Sequence, residues 1–150
     1  MIPIVKQAEA DVKSKLPRAL LGGFVGTVLF TLIGKFVAPV IIGQPMDVAV
    51  IIADALGIPV VVGMIAHFVA GTVGFPIAYL VIGIRHLPGP GWLRGTIFLI
   101  LIYFVAMLVV MPLLGQGFFL SSVQKAMVAL VAHIVFGLSM GAIIGKPKSE

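Results

Sequence analysis

The sequence contains no cysteine in its 150 residues. Without thiols the chain has no disulfides, and it cannot build a thiolate metal site or an iron–sulfur cluster. Attachment of haem through cysteine is excluded for the same reason. Any metal or cofactor would therefore have to be held by other side chains.

Charged residues are scarce as well. They make up 10% of the chain, against 61% hydrophobic residues. The acidic residues all lie in the N-terminal segment, the loop at 44–57 or the tail; they are Glu9, Asp11, Asp47, Asp54 and Glu150. Transport coupled to protons is disfavoured, because proton relays in membranes usually include a carboxylate within a span. No carboxylate pair or other catalytic constellation is present, which favours a non-enzymatic role.

The apolar residues form four segments long enough to cross a membrane, and mean hydropathy is +1.24. A hydrocarbon core about 30 Å thick requires about 20 apolar residues per helix. The segments are 18–43, 58–84, 93–114 and 123–145. We expect an all-α, integral membrane four-helix bundle over residues 18–146. Residues 1–17 are expected to be a cytoplasmic head, either an amphipathic surface helix or a solvated terminus, and 147–150 a cytoplasmic tail.

The loop between the first two segments favours a short amphipathic helix from Asp47 to Leu56. Asp47 or Pro45 stands near its start and Gly57 follows its end. One face carries apolar side chains, namely Val48, Ile51, Ile52 and Leu56. We expect this helix to cover the outer mouth of the bundle or to lie in the membrane interface.

The basic residues indicate the orientation of the chain. Lys and Arg in short loops are retained on the cytoplasmic side. Eight of the ten lie in the head, the connector at 85–94 and the tail, and the other two are Lys35 and Lys125. Both termini are therefore expected in the cytoplasm. The net charge of +5 then reflects topology and attraction to anionic headgroups, not binding of nucleic acid.

The two halves of the chain resemble each other. Residues 18–44 and 91–116 share a glycine, a proline and a Gly-Gln dipeptide at matching spacing; these are Gly22 and Gly95, Pro39 and Pro112, and Gly43-Gln44 and Gly115-Gln116. The returning segments match as GMIAHFVAGTVG and ALVAHIVFGLSMG. We expect two repeated helical hairpins of the same orientation, related by a pseudo-two-fold axis along the membrane normal.

Within this repeat, His67 and His133 are the candidate site. They lie nine and ten residues into their segments, or about 14 and 15 Å at 1.5 Å per residue. Both imidazoles are therefore expected near the midplane, where a polar ring faces the bundle interior. Gly71 and Gly137 follow them by one turn, and such small residues allow a helix or a flat cofactor to approach the backbone.

Three interpretations of the pair stay open. In the first, both histidines are axial metal ligands of a haem b in an electron-transfer protein, with Gly71 and Gly137 making room for the porphyrin. In the second, they form part of a proton pathway or a small-ligand site. In the third, each histidine hydrogen-bonds a backbone carbonyl or a hydroxyl on a neighbouring helix and fixes packing; the candidates are Thr27, Thr31, Tyr103 and Ser139.

The function we expect is electron transfer by a protein or subunit that binds haem b. The alternative is a non-redox accessory or structural subunit of a larger membrane complex. Beyond the lipid bilayer, the expected partners are other membrane subunits or further copies of the chain. In a homo-oligomer the two histidines could also meet across an interface between copies.

Several runs carry a resemblance to known sequences. They extend from His67 through LPGPGWLRG, LVVMPLLGQGFF and AHIVFGLSMGAIIG. With them, residues 18–146 resemble a family of small four-span bacterial inner-membrane proteins of unassigned function. The resemblance implies the four-helix fold and a bacterial inner-membrane location, and it supplies no substrate or catalytic residue.

Overall fold

The structure, a computed structural model, describes residues 3–147, apart from the side chain of Ile4. Helices dominate this part of the chain, and it contains no β-strand. Four of the helices are long and apolar enough to cross a membrane, with candidate spans at Val5–Ile42, Val60–His86, Gly91–Leu113 and Val123–Ile144. The prediction of an all-α protein with four helices long and apolar enough to cross a membrane is confirmed.

We number five helices in chain order. Helix α1 begins with Pro3–Leu32 and continues through Ile33–Val37 to Ala38–Ile42. Helix α2 is the short Val48–Leu56. Helix α3 runs from Val60–Val69 to Ile84–His86, and α4 from Gly91–Val105 to Met111–Leu113. Helix α5 is Val123–Ile144.

The expected helix in the first loop is present as α2. The Asp47 side chain accepts a hydrogen bond from the Ala49 amide at 2.9 Å, which is the usual N-cap geometry. Gly57 ends the helix with φ +65°, a left-handed conformation that glycine adopts without steric cost. Residues 3–17, in contrast, continue directly into the first apolar segment as part of one helix.

Three prolines inside the long helices are each preceded by a π-helical turn that begins six residues earlier. The turns are Ile33–Val37 before Pro39, Ala70–Gly74 before Pro76 and Ala106–Val110 before Pro112. Proline has no amide hydrogen, and its ring clashes with the carbonyl four residues back. In each case the residue before proline donates to the carbonyl five residues back, which widens the turn and avoids the clash.

The first π turn also anchors the loop that leads into α2. Because Ala38 donates to Ile33 instead of Gly34, the Gly34 carbonyl is released from its normal helical bond. The Met46 amide donates to that carbonyl at 2.8 Å. A side chain at Gly34 would collide with the Met46 carbonyl, so the close approach requires glycine.

Helix α5 is the centre of the bundle, since it packs along both α1 and α4. Helix α3 packs against the other side of α1 and contacts α4 near the connector between them, where Tyr79 meets Phe98. The α4–α5 crossing is close because glycines line both helices, namely Gly91, Gly95, Gly137 and Gly141. Towards α2, the space between α3 and α4 is open.

The two hairpins share features that the repeat predicts. Pro39 and Pro112 each follow a π turn at the same spacing. The hairpins also differ, because α2 is inserted only in the first and a tight turn replaces it in the second. The gap between α3 and α4 has no counterpart between α1 and α5, which pack closely.

Candidate functional site

His67 of α3 and His133 of α5 line the same cavity, in the open space between α3 and α4. Its volume is about 320 Å³. We call it the histidine cavity, because these are the two polar side chains in a wall otherwise made of glycine and apolar residues. Helix α1 contributes Phe30, α2 contributes Ile51 and Ile52, and α4 contributes Ala106 and Met107. The structure thus brings the two predicted site residues together.

Aromatic rings hold the two imidazoles in place. The ring centroid of Phe30 lies 5.6 Å from that of His67 and 5.0 Å from that of His133. Tyr103 packs edge-on against His133, with centroids 5.4 Å apart, and its hydroxyl donates to the Ala126 carbonyl at 3.2 Å. These contacts surround both histidines with ring edges and faces, which restricts their side-chain rotation.

Each histidine also has one polar partner. His67 Nε2 lies 3.1 Å from the Thr31 hydroxyl of α1, one of the partners considered from the sequence. His133 Nδ1 lies 2.7 Å from the carbonyl of Ala129, one turn earlier on the same helix. Since His133 is only 7% exposed, this bond offsets part of the cost of burying its ring.

The two predicted site glycines lie outside the wall of the cavity. A side chain at Gly71 would collide with the Thr27 hydroxyl of α1. At Gly137, a Cβ atom would lie 2.5 Å from the Gly95 carbonyl oxygen and 2.6 Å from Thr96 Cα, both in the backbone of α4. Both glycines therefore bring helices together, and neither clears space beside its histidine.

The arrangement fits a bis-histidine haem poorly. A porphyrin would lie between the two imidazoles, yet the phenyl ring of Phe30 contacts both of them. His67 uses Nε2 for its bond to Thr31, so that nitrogen is engaged within the protein. The wall also has no cationic side chain to meet the propionates. His133 alone has the usual geometry of a ligand, with Nδ1 on a carbonyl.

Comparison with known proteins identifies a family for this chain. Residues 14–150 match the Family of unknown function (DUF6789). The chain belongs to this family. No curated protein and no solved structure shows significant similarity to it. The DUF6789 match covers α1 from residue 14 onward, the other three long helices and the residues of the histidine cavity, and the family has no known function.

In this DUF6789 chain, α2 and the turn at 118–121 border the end of the cavity furthest from the α3–α4 connector. Lys35 of α1 forms an ion pair with Asp47 at 3.3 Å, which is the second tie between α1 and the start of α2. In the turn, Phe119, Leu120 and Ser121 all have left-handed backbone angles, with φ between 51° and 58°. Such conformations are strained for residues other than glycine. They direct buried Leu120 into the cavity wall.

A second polar cluster lies at the opposite end of the bundle, and the sequence reasoning missed it. Asp11 is completely buried and forms an ion pair with Arg85 at 2.5 Å. Arg94 donates to the carbonyls of Ile84 and Gly89, both at 2.7 Å, and Lys15 donates to the last turn of α5. A signal was available, because Asp11 continues at helical spacing a stripe of small residues that faces α5; the stripe includes Ala19, Gly22 and Gly26.

Proposed function

We propose that this protein binds a small, mostly apolar molecule in the histidine cavity. One observation carries the proposal: a cavity of about 320 Å³ inside the bundle has an apolar wall with two polar side chains, His67 and His133. Binding sites for small molecules commonly have this composition, with a few polar groups that orient the ligand. An engineered apolar cavity of about 150 Å³ binds benzene, so two fused aromatic rings fit the larger volume.

The cavity has features of a built site. Its wall includes side chains from all four long helices and from α2. The turn at 118–121 adopts strained backbone angles while it supplies Leu120 to the wall. The expected role is therefore capture, storage or presentation of a membrane-soluble compound.

Naphthalene binding to the purified protein in detergent tests this proposal. We expect saturable binding of one molecule per chain, measured by equilibrium dialysis against protein-free micelles. Ala106→Phe places a phenyl ring in the cavity and should abolish the saturable component. Leu108→Phe is the matched control, since Leu108 is exposed on the same helix and outside the cavity wall. Equal binding by wild type and Ala106→Phe would contradict the proposal.

Haem b binding stays a prediction of the sequence, and the same preparation tests it. A reduced-minus-oxidised absorption spectrum with b-type bands that disappear in His67→Ala and His133→Ala would support it. A colourless, folded protein that binds naphthalene would favour the small-molecule site. A colourless protein that does not bind naphthalene would favour the alternative, an accessory or structural subunit.

We also propose a bacterial inner membrane location with both termini in the cytoplasm. The distribution of Lys and Arg supports this orientation, because most of them lie in the head, the α3–α4 connector and the tail. Single cysteines introduced into the cysteine-free chain at exposed Glu9 and Phe118 test it. In intact cells, a membrane-impermeant thiol reagent should label the second position and not the first. Labelling of the cysteine at position 9 would show that the chain has the opposite orientation.

A further inference from the structure

The hydrogen bonds of the two histidines determine which kind of ligand group the cavity accepts. His133 Nδ1 faces the Ala129 carbonyl at 2.7 Å. A carbonyl oxygen only accepts, so the ring hydrogen of the neutral imidazole must be on Nδ1. Nε2 of His133 then carries a lone pair and no hydrogen, so it can accept a hydrogen bond and cannot donate one.

The same reasoning applies to His67 through the hydroxyl of Thr31. That hydroxyl has one hydrogen, and it donates to the Thr27 carbonyl at 2.8 Å. Its contact with His67 Nε2 at 3.1 Å is therefore a bond in which Nε2–H donates. The opposite assignment would leave the Thr27 carbonyl facing an oxygen lone pair. In the neutral ring of His67, the acceptor nitrogen is thus Nδ1.

Both histidines consequently offer acceptors, although they use opposite tautomers. Neither acceptor nitrogen has a hydrogen-bond partner among the described residues. The rest of the cavity wall is glycine and apolar side chains, so no other side chain there donates to a bound molecule. A ligand that brings only carbonyl or ether oxygens would bury its own polar atoms, and the two imidazole acceptors, without partners.

We infer that the ligand of the histidine cavity is an apolar compound with a hydroxyl group that donates to His133 Nε2 or to His67 Nδ1. This inference rests on the proposed function, because it names the class of molecule for the same cavity. A phenol or an alcohol meets the requirement, whereas a quinone or an ether does not. Recognition of a hydroxyl by buried acceptors also rejects analogues that lack it, since their binding leaves the acceptors unpaired.

Three probes of similar shape test the inference on the detergent-purified full chain: naphthalene, 2-naphthol and 2-methoxynaphthalene. We expect 2-naphthol to bind about tenfold more tightly than 2-methoxynaphthalene, because one buried hydrogen bond is gained. At least one of the variants His133→Leu and His67→Leu should reduce that ratio, which identifies the acceptor. Both should retain naphthalene binding, which also shows that they fold. His86→Ala is the control, since His86 lies outside the cavity wall and bonds the Ile82 carbonyl.

The outcomes separate the two proposals. If naphthalene shows no saturable binding, the proposed function fails. If naphthalene binds while 2-naphthol and 2-methoxynaphthalene bind equally, the cavity is a ligand site and the inferred hydroxyl preference is wrong. If 2-methoxynaphthalene binds more tightly, the inference is overturned as well. The wild-type ratio decides the matter even if both histidine variants fail to fold.

Discussion

Gly137→Ala should destabilise the bundle, because the α4–α5 crossing leaves no room for a methyl group. The new Cβ would lie 2.5 Å from the Gly95 oxygen and 2.6 Å from Thr96 Cα, whereas ordinary contact begins near 3.4 Å. Both neighbouring atoms are backbone, so no side chain can rotate away. The helices would have to separate by about 0.9 Å at this point, and overpacking of this kind costs about 1–3 kcal/mol.

Alanine also favours a helix over glycine by about 1 kcal/mol, which offsets part of that cost. We therefore expect Gly137→Ala to lower the free energy of unfolding by about 1–2 kcal/mol, measured by SDS titration in mixed micelles. Gly74→Ala is the matched control. Gly74 is helical at φ −61°, and a Cβ there meets nothing within 4 Å. The control should be neutral or slightly more stable than wild type. Equal unfolding free energies for the two variants would refute the steric reasoning.

Further predictions concern two charged residues, Asp11 and Asp47. Asp11→Ala should cost more than about 1 kcal/mol in unfolding free energy, because it removes a completely buried carboxylate from its ion pair with Arg85. Glu9→Ala, in an exposed pair, should leave the unfolding free energy nearly unchanged. Asp47→Ala removes an N-cap and an ion pair and should cost about 1–2 kcal/mol, whereas Asp47→Asn should retain most of the cap contribution. If both Asp47 variants lose a similar amount of unfolding free energy, the ion pair with Lys35 and not the N-cap accounts for the loss.

The elements that depend on local sequence were predictable. Span length follows from the thickness of the hydrocarbon core, so the four long helices could be recognised from hydropathy. The short helix α2 was also predictable, because Asp47 and Gly57 supply its start and end through bonds to nearby backbone. The repeat predicted that the two histidines lie at similar depth and face the bundle interior, but it did not predict the cavity that both of them line.

What could not be predicted depends on contacts between distant residues. From the sequence we expected Gly71 and Gly137 to make room for a cofactor, but which helix approaches each glycine is set by the tertiary packing. Asp11 reads locally as part of a charged terminus, yet Arg85 lies 74 positions away in the chain and at 2.5 Å in space. Three π turns precede a proline, but the choice between a kink and a widened turn depends on the surrounding helices.

The location of a bound aromatic probe tests the central claim most directly. A crystal structure of the protein soaked with 2-bromonaphthalene would reveal the bromine by its anomalous scattering. We predict a peak inside the histidine cavity, bounded by Phe30, Met107 and His133, and its loss in Ala106→Phe. Bromine found only on the lipid-facing surfaces of the helices would contradict the account.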